Sequence, residues 1–539
     1  MALILVRRTR VLACVVAAWS LVACTDSDAP GSGAGATHAT AASATAPSAA
    51  VETTAGAVDT YADAWLDVTD TALGTTGDWS NKVELADIDT DGDVDLLFAN
   101  GGDYESPGTP VANRVFLNDG AARFTDATSE VFGKAVGITR VIKVADVDAD
   151  SVPDIVVGTA YGTQSRLYLG AGNGRWRDVT STNLPSRRLS VGDLELGDVD
   201  ADGDLDMVLA DWGPGSPMRN EGGVVALWLN DGRGRFSDAT AARMPTTKVR
   251  FSWELELVDV DNDWDLDIAT SCKMCRSSLL YENDGAGGFT DVTERMPHFT
   301  NSYEFTPLDL DADGYLDLVT SNDGEETGLG LAEHVFRNDA GRGYVDETDE
   351  WWPSGMGTAN AGWDDNMVVG LDVESDGDAD FVIGSLDGPD RVLLNDGTGA
   401  LTVSNSIFEG SATRGTLGIA QADLNGDSRI DFVESQGEAD GYEDERVYLG
   451  GELVPPDTAP PVIRAELVDG LVVARVHDNR TPNLPHDWQR IVVRSPDRHA
   501  RMDWYGENLF RAEAPGGADL EVCATDAAGN QACVPVGTA

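Results

Sequence analysis

Positive charge is what this sequence most lacks: 37 Lys and Arg stand against 93 Asp and Glu, a formal net charge of −56. That balance argues against nucleic acid or an anionic membrane surface as partner. Histidine is scarce too. The six are His38, His298, His334, His477, His486 and His499, and none falls in a nucleophile or zinc-ligand motif. The sequence therefore points to no catalytic residue. Past the N-terminus no apolar run is long enough to cross a bilayer, and the stretch from Val11 to Val22 is itself short for a span.

That stretch follows Arg7, Arg8 and Arg10, the arrangement of an export signal. It ends in Leu21-Val22-Ala23-Cys24, which resembles the lipobox of bacterial lipoproteins. The resemblance implies removal of residues 1–23, acylation of Cys24 and export; ordinary secretory cleavage nearby is the alternative. Thr25, in place of Asp, favours an outer-membrane or cell-surface anchor, with the periplasmic face left open. Residues 24–57 are almost all Ala, Ser, Thr, Gly and Pro, too poor in apolar groups to fold, and read as a flexible tether. With Cys14 in the signal, two close pairs of cysteines remain, Cys272/Cys275 and Cys523/Cys533. Both suit disulfides in an oxidising compartment. Cys272-Lys-Met-Cys275 lacks the βαβ context of a redox motif, and no His follows it as haem attachment requires.

What is present is a nine-residue acidic loop, written seven times and holding about a third of the 93 acids. The sharpest copies are DIDTDGDVD and DVDADGDLD. Side-chain oxygens at positions 1, 3, 5 and 9 are the donor set preferred by Ca²⁺. The first loop offers Asp87, Asp89, Asp91 and Asp95; the second Asp146, Asp148, Asp150 and Asp154; the third Asp198, Asp200, Asp202 and Asp206. The fourth offers Asp259, Asp261, Asp263 and Asp267, and the fifth Asp309, Asp311, Asp313 and Asp317. Asp372, Glu374, Asp376 and Asp380 form the sixth, and Asp423, Asn425, Asp427 and Asp431 the seventh. Up to seven Ca²⁺ are expected. Glycine at position 6 permits the positive φ a tight loop needs. Ser151 and Trp264 replace it in the second and fourth loops, which predicts strain, and Glu374 lengthens the third donor of the sixth.

The loops start about 56 residues apart, a period that accommodates four short strands per unit. In the first unit strand A is Val83 to Ala86, strand B Val94 to Ala99 and strand C Arg114 to Leu117; Asn118-Asp119-Gly120 then turns the chain into strand D around Phe124 to Thr128. The seventh unit has no D strand, whereas Trp65-Leu-Asp-Val-Thr69 precedes the first with no C strand of its own. A ring that completes its last unit with its first strand explains both, and closure removes exposed edges. The predicted fold is all-β: a seven-bladed β-propeller over residues 58–454, closed by an N-terminal strand, then a small β-sandwich over 457–539.

The DxDxDGxxD loops, the apolar strands after them and the NDGxGxF…DVT phrase resemble the FG-GAP/VCBS repeat family, whose members include the seven-bladed propellers of integrin α-subunits. The resemblance implies Ca²⁺ between strands A and B, with the carbonyls of Asp93 and Asp204 as further donors. The Asp457-x-x-Pro460-Pro461 opening and the Asp526-Ala-Ala-Gly-Asn530 turn resemble Ig-like or fibronectin-III-like sandwiches, commonly spacers.

If the acidic loops occupy one rim, the other carries Arg140, Trp212, Trp253, Glu254, Tyr303, Glu304, Trp363 and Asp365, with Tyr104 and Asp364 beside them. Aromatic faces next to carboxylates suit a sugar or a cationic peptide side chain, and the alternative is that the aromatics fill gaps between blades. The expectation is a monomeric, calcium-binding adhesion protein for a polysaccharide or an extracytoplasmic protein. The resemblance leaves open a polysaccharide-active enzyme of lyase or dehydratase type, and an envelope assembly platform remains a third reading.

Overall fold

The computed structural model describes residues 61–538, apart from 103–105, 173, 300, 324–332, 353–363, 405–406, 409–414, 438–443, 479–487 and 518. Cys24, His38, Tyr104, Trp363 and His486 lie outside the described residues. The described chain is all-β, its helices being single turns such as Thr69–Ala72 and Thr128–Val131. Many four-stranded antiparallel sheets succeed one another, consistent with a propeller.

The first sheet joins Ser80–Ala86, Asp95–Asn100, Arg114–Leu117 and Thr125–Asp126 in sequence order. Its second strand is buried along its whole length, as its apolar run demands. The pairing ends at Ala86↔Asp95, so the ninth loop residue is the first residue of the second strand. The same register recurs at Ala145↔Asp154, Gly197↔Asp206, Val258↔Asp267, Leu308↔Asp317, Leu371↔Asp380 and Ala422↔Asp431.

Thr416–Ala422, Asp431–Gln436 and Arg446–Gly450 take Trp65–Asp67 as their fourth strand, in register Trp65↔Gly450. The Asp-x-Thr phrase shows why. In the first sheet the Thr128 N–H donates to Asp126 Oδ1 (2.9 Å) while Thr128 Oγ1 accepts the Val115 N–H (3.1 Å). Asp67 and Thr69 do the same for Val447, nearly four hundred residues away in sequence, at 2.9 and 3.0 Å. Trp65 is fully buried and its indole N–H donates to the Ile430 carbonyl at 2.7 Å. The first strands of successive sheets touch in turn, and Thr416–Ala422 touches Ser80–Ala86.

Residues 462–538 form two sheets with a shared core that includes Val472, Val493, Phe510 and Val522. Cys523 and Cys533 are disulfide-bonded across paired strands, and Cys272 and Cys275 are bonded between Asp267–Thr270 and Leu279–Glu282. The expected spacer is instead packed on the third and fourth acidic loops: the Tyr505 carbonyl accepts the Asp198 N–H (2.8 Å), and the Tyr505 hydroxyl donates to the Trp264 carbonyl (3.1 Å). Residues outside the acidic repeat, unreadable by periodicity, make this contact.

Candidate metal loops and the aromatic plug

All seven loops share one backbone. The first carboxylate accepts the N–H groups of positions 5 and 6: in the first loop Asp91 donates to Asp87 Oδ1 (3.1 Å) and Gly92 to Oδ2 (3.0 Å), and in the seventh Asp427 and Ser428 donate to Asp423 (3.1 and 2.7 Å). Position 6 has a positive φ throughout, including Ser151 (67°), Trp264 (76°) and Ser428 (64°). Ser428 is a third departure from glycine, beyond the two foreseen. Position 4 is left-handed as well, from Thr90 (65°) to Ser375 (59°), which no residue preference revealed. Each non-glycine in this region costs about 1–2 kcal/mol, so the loops hold strain that their hydrogen bonds must offset.

The ninth residue pins the loop to its sheet. Asp95 Oδ2 accepts the Ile88 N–H (3.0 Å) and Oδ1 the Asn118 N–H (2.9 Å). Asp154, Asp267, Asp317, Asp380 and Asp431 repeat both contacts, Asp206 the second. Burial pushes Asp95, Asp154 and Asp206 up to about 7 and Asp317 and Asp431 up to about 8, against the two N–H contacts that lower them. Asp267 and Asp380 are raised further still, again chiefly by burial.

The third residue differs. Asp89, Asp148, Asp200 and Asp261 each keep a buried Oδ1 that accepts no hydrogen bond, as does Glu374 through Oε2. Oxygens of Asp87, Asp89 and Asp95 lie within 4.8 Å of one another, as do those of Asp146, Asp148 and Asp154 and of Asp198, Asp200 and Asp206. Orphaned carboxylate oxygens converging at this spacing fit a hard cation, which could take oxygens from positions 1, 3, 5 and 9. Asp93 and Asp204 turn their side chains toward the next turn, where a Cβ at Gly120 would meet Asp93 Oδ1 at 2.6 Å. Any donation from these two would come through the carbonyl.

Sequence reasoning read the Asn-Asp-Gly turn only as a hairpin. Its asparagine in fact fastens one sheet to the preceding loop: Asn230 Nδ2 donates to the Val147 carbonyl (2.8 Å), Asn283 to Val199 (2.9 Å), Asn338 to Val260 (2.8 Å) and Asn395 to Leu310 (2.9 Å). Asn118 donates to Leu424 (2.9 Å), linking the first sheet to the last loop. The recurrence of Asn at that turn was the available signal.

Two arginines also reach into three of the loops. Arg475, barely exposed, donates to Asp259 Oδ2 and the Asp259 carbonyl (both 3.1 Å), to Asn262 Oδ1 (2.8 Å) and to the Gly314 carbonyl (3.2 Å). Arg511 donates to Asp198 Oδ2. Trp264, which breaks the glycine rule, gives its indole N–H to Glu466 (3.3 Å), and the Arg464 guanidinium lies over its ring at 5.2 Å. Its departure from the repeat thus serves the contact with residues 462–538.

The residues expected on an open rim are placed otherwise, and this corrects the expectation. Arg140, Trp212 and Trp253 are 1%, 0% and 1% exposed. Tyr303, Glu254, Glu304 and Asp365 are buried as well. The aromatics form a plug in which the Arg140 guanidinium lies over Trp212 (5.3 Å) and Trp253 (4.7 Å). Lys273 Nζ lies over Tyr303 at 4.2 Å and pairs with Asp323 at 2.6 Å. These rings fill gaps: Trp212, Trp253 and Tyr303 pack in one buried cluster with Ile138, Phe251, Leu386 and Leu417, which come from several repeats. Asp365 sits apart, bidentate with Arg391 (2.6 and 3.0 Å), which holds it low although burial alone would raise it.

Below the plug lies a cavity of about 640 Å³ lined by Lys82, Glu84, Lys143, Glu195, Glu254, Glu256 and Glu304, among others. Lys82 bridges Asp193 (3.0 Å) and Glu254 (2.6 Å), and Lys143 meets Glu195 (2.5 Å). Burial pushes Glu304 up to about 8 and Glu254 well above the carboxylate range. The lysines already occupy the centre of this acidic group. Among the described histidines, His334 pairs with Asp346 (2.9 Å), and His298 and His499 are exposed.

Repeated four-stranded antiparallel units with shared acidic loops define an all-β repeat protein, consistent with a propeller. Four segments match the FG-GAP-like repeat family, residues 87–157, 146–209, 198–270 and 372–433, and these matches support an FG-GAP repeat family. Each match begins on the first aspartate of a loop. No curated protein sequence matches the chain. Among solved structures, BBS1N in complex with ARL6DN is 11% identical, with 74% of this chain and 100% of that one covered and a TM-score of 0.42. The extracellular domain of the one-component system BT4673 from B. thetaiotaomicron is 9% identical, covering 88% and 58%, with a TM-score of 0.39. Saccharomyces cerevisiae Sqt1 is 12% identical, covering 74% and 99%, at 0.33.

Proposed function

We propose that the seven sheets close into a seven-bladed propeller whose acidic loops bind Ca²⁺, and that this exported protein, anchored through Cys24, binds a polysaccharide or an extracytoplasmic protein. The reading rests chiefly on the third-position oxygens of Asp89, Asp148, Asp200 and Asp261, buried without a hydrogen-bond donor beside other carboxylates. A buried acceptor left bare is costly, and a hard cation supplies what is missing. Closure is supported by the Asn118–Leu424 link and by Trp65–Asp67 completing the last sheet.

Calcium titration of the full chain by calorimetry, with scanning calorimetry in Ca²⁺ and in EGTA, tests the metal reading. Several sites and a higher thermal midpoint in Ca²⁺ are expected. Absence of binding heat together with an unmoved midpoint would sink it.

A further inference from the structure

A cleft of about 1110 Å³ lies between the acidic loops and the C-terminal module. Asp146, Asp198 and Asp204, of the second and third loops, form one wall. Facing them are Arg490, His499 and Arg501, with the carboxylate of Asp503 and the half-buried indoles of Trp488 and Trp504 beside them. In a chain of net charge −56, three basic groups on one wall stand out. The neighbouring arginines are already committed: Arg475 to Asp259, Arg511 to Asp198, Arg494 to Glu521 and Arg464 to Glu466. Arg490 and Arg501 have no ion pair among the described residues, and both are exposed.

Strand geometry aims them together. Arg501 pairs with Val492 and His499 with Arg494, so His499 and Arg501, two apart on one strand, point to the same side. Arg501 and Trp504 also line the cavity of about 640 Å³, so the cleft and that cavity adjoin.

The geometry points to a binding site for a carboxylated polysaccharide, one built from uronate sugars. This rests on the binding function proposed above and names its ligand class and its place. An indole face stacks on the apolar face of a sugar ring. A guanidinium fork matches a carboxylate in two parallel hydrogen bonds. A cation held in the acidic wall would offset part of that wall's negative charge and so lessen its repulsion of a carboxylate. A neutral glycan would leave both guanidiniums unmatched, and a cationic peptide would be repelled by them. Elsewhere the acidic surface repels a polyanion, which confines binding to this cleft.

The test is calorimetric titration of the full chain, in Ca²⁺, with oligogalacturonate, maltohexaose and polyglutamate. Oligogalacturonate is expected to bind best, with affinity falling as salt rises. Arg490→Ala and Arg501→Ala should each weaken it about tenfold or more, the equivalent of one charge-assisted contact, and Trp504→Ala should weaken it also. Both arginines are exposed, so their variants should keep the wild-type thermal midpoint; Arg501→Lys, which keeps charge but loses the fork, should fall between. Oligogalacturonate affinity unchanged in Arg490→Ala/Arg501→Ala overturns the site. Polyglutamate bound as tightly as oligogalacturonate overturns the sugar assignment in favour of an acidic peptide. Maltohexaose binding that ignores both arginines overturns this inference but leaves the glycan-binding function standing. If no glycan binds while an envelope protein is captured, the polysaccharide reading falls as a whole.

Discussion

Raising pH in the presence of a chelator should destabilise this protein, and calcium should abolish the effect. The perturbation acts on the ninth-position aspartates. Asp95, Asp154 and Asp206 ionise at about 7 in the fold, against an ordinary 3.8. Because the native carboxyl holds its proton more tightly than the unfolded one, the folded state binds more protons over this range. Stability is then full below about pH 4 and lost as pH rises through 7 to 8. A proton held from 3.8 to about 7 corresponds to about 4 kcal/mol per aspartate, an upper bound because neighbouring loops relax. Within the window each such group contributes a slope of about 1.4 kcal/mol per pH unit. Bound Ca²⁺ takes the proton's role, so the curve should flatten and the calcium-induced gain should grow from pH 5 to pH 8. Denaturant midpoints at four pH values, in EGTA and in Ca²⁺, measure this. Asp95→Asn, which cannot ionise, should reduce the EGTA slope by one group's share. An EGTA midpoint that rises from pH 5 to pH 8, or an Asp95→Asn slope equal to wild type, would refute the reasoning.

Three further outcomes are expected. Asp89→Asn removes a buried oxygen that accepts no hydrogen bond, so it should leave the EGTA midpoint level or slightly higher while cutting calcium affinity at that loop about tenfold; calorimetric stoichiometry and midpoints together read it out. Arg475→Ala leaves Asp259 buried without its guanidinium and should weaken docking of the C-terminal module by about 3–5 kcal/mol, seen as faster proteolysis around Pro455–Pro461. Trp65→Ala should cost about 3–5 kcal/mol at the seam between first and last strands, because a fully buried ring and its hydrogen bond to Ile430 are lost together. A midpoint unchanged on that substitution would mean the first strand is not needed to hold the last sheet.

The local chemistry was legible because it repeats. Loop positions 1, 3, 5 and 9, the apolar strand after them and the unclaimed Trp65–Thr69 phrase each bear a periodic or unpaired signature, and a strand register of two residues turns such patterns directly into faces. Even the pairing of Cys523 with Cys533 follows from a short span in sequence. The left-handed fourth loop residue left no such trace: Thr90, Ala149 and Ser375 share no side-chain chemistry, and only the hydrogen bonds from positions 5 and 6 to the first carboxylate impose their φ. The asparagine of the Asn-Asp-Gly turn was visible, but its partner lies in another sheet.

The sequence alone therefore determined the unit: four strands, an acidic loop and their recurrence, all set by contacts within about sixty residues. Tertiary structure decided what the units expose. Trp212, Trp253 and Tyr303 read as a ligand surface, yet they are buried against residues of other repeats, because burial depends on which distant segments meet, not on residue type. Trp264 read as a flaw in the fourth loop until Glu466 and Tyr505 were found against it. Arg490 and Arg501 were unremarkable in a chain so acidic; the fold places them, without an ion pair among the described residues, across a cleft from the loops that most defined the sequence.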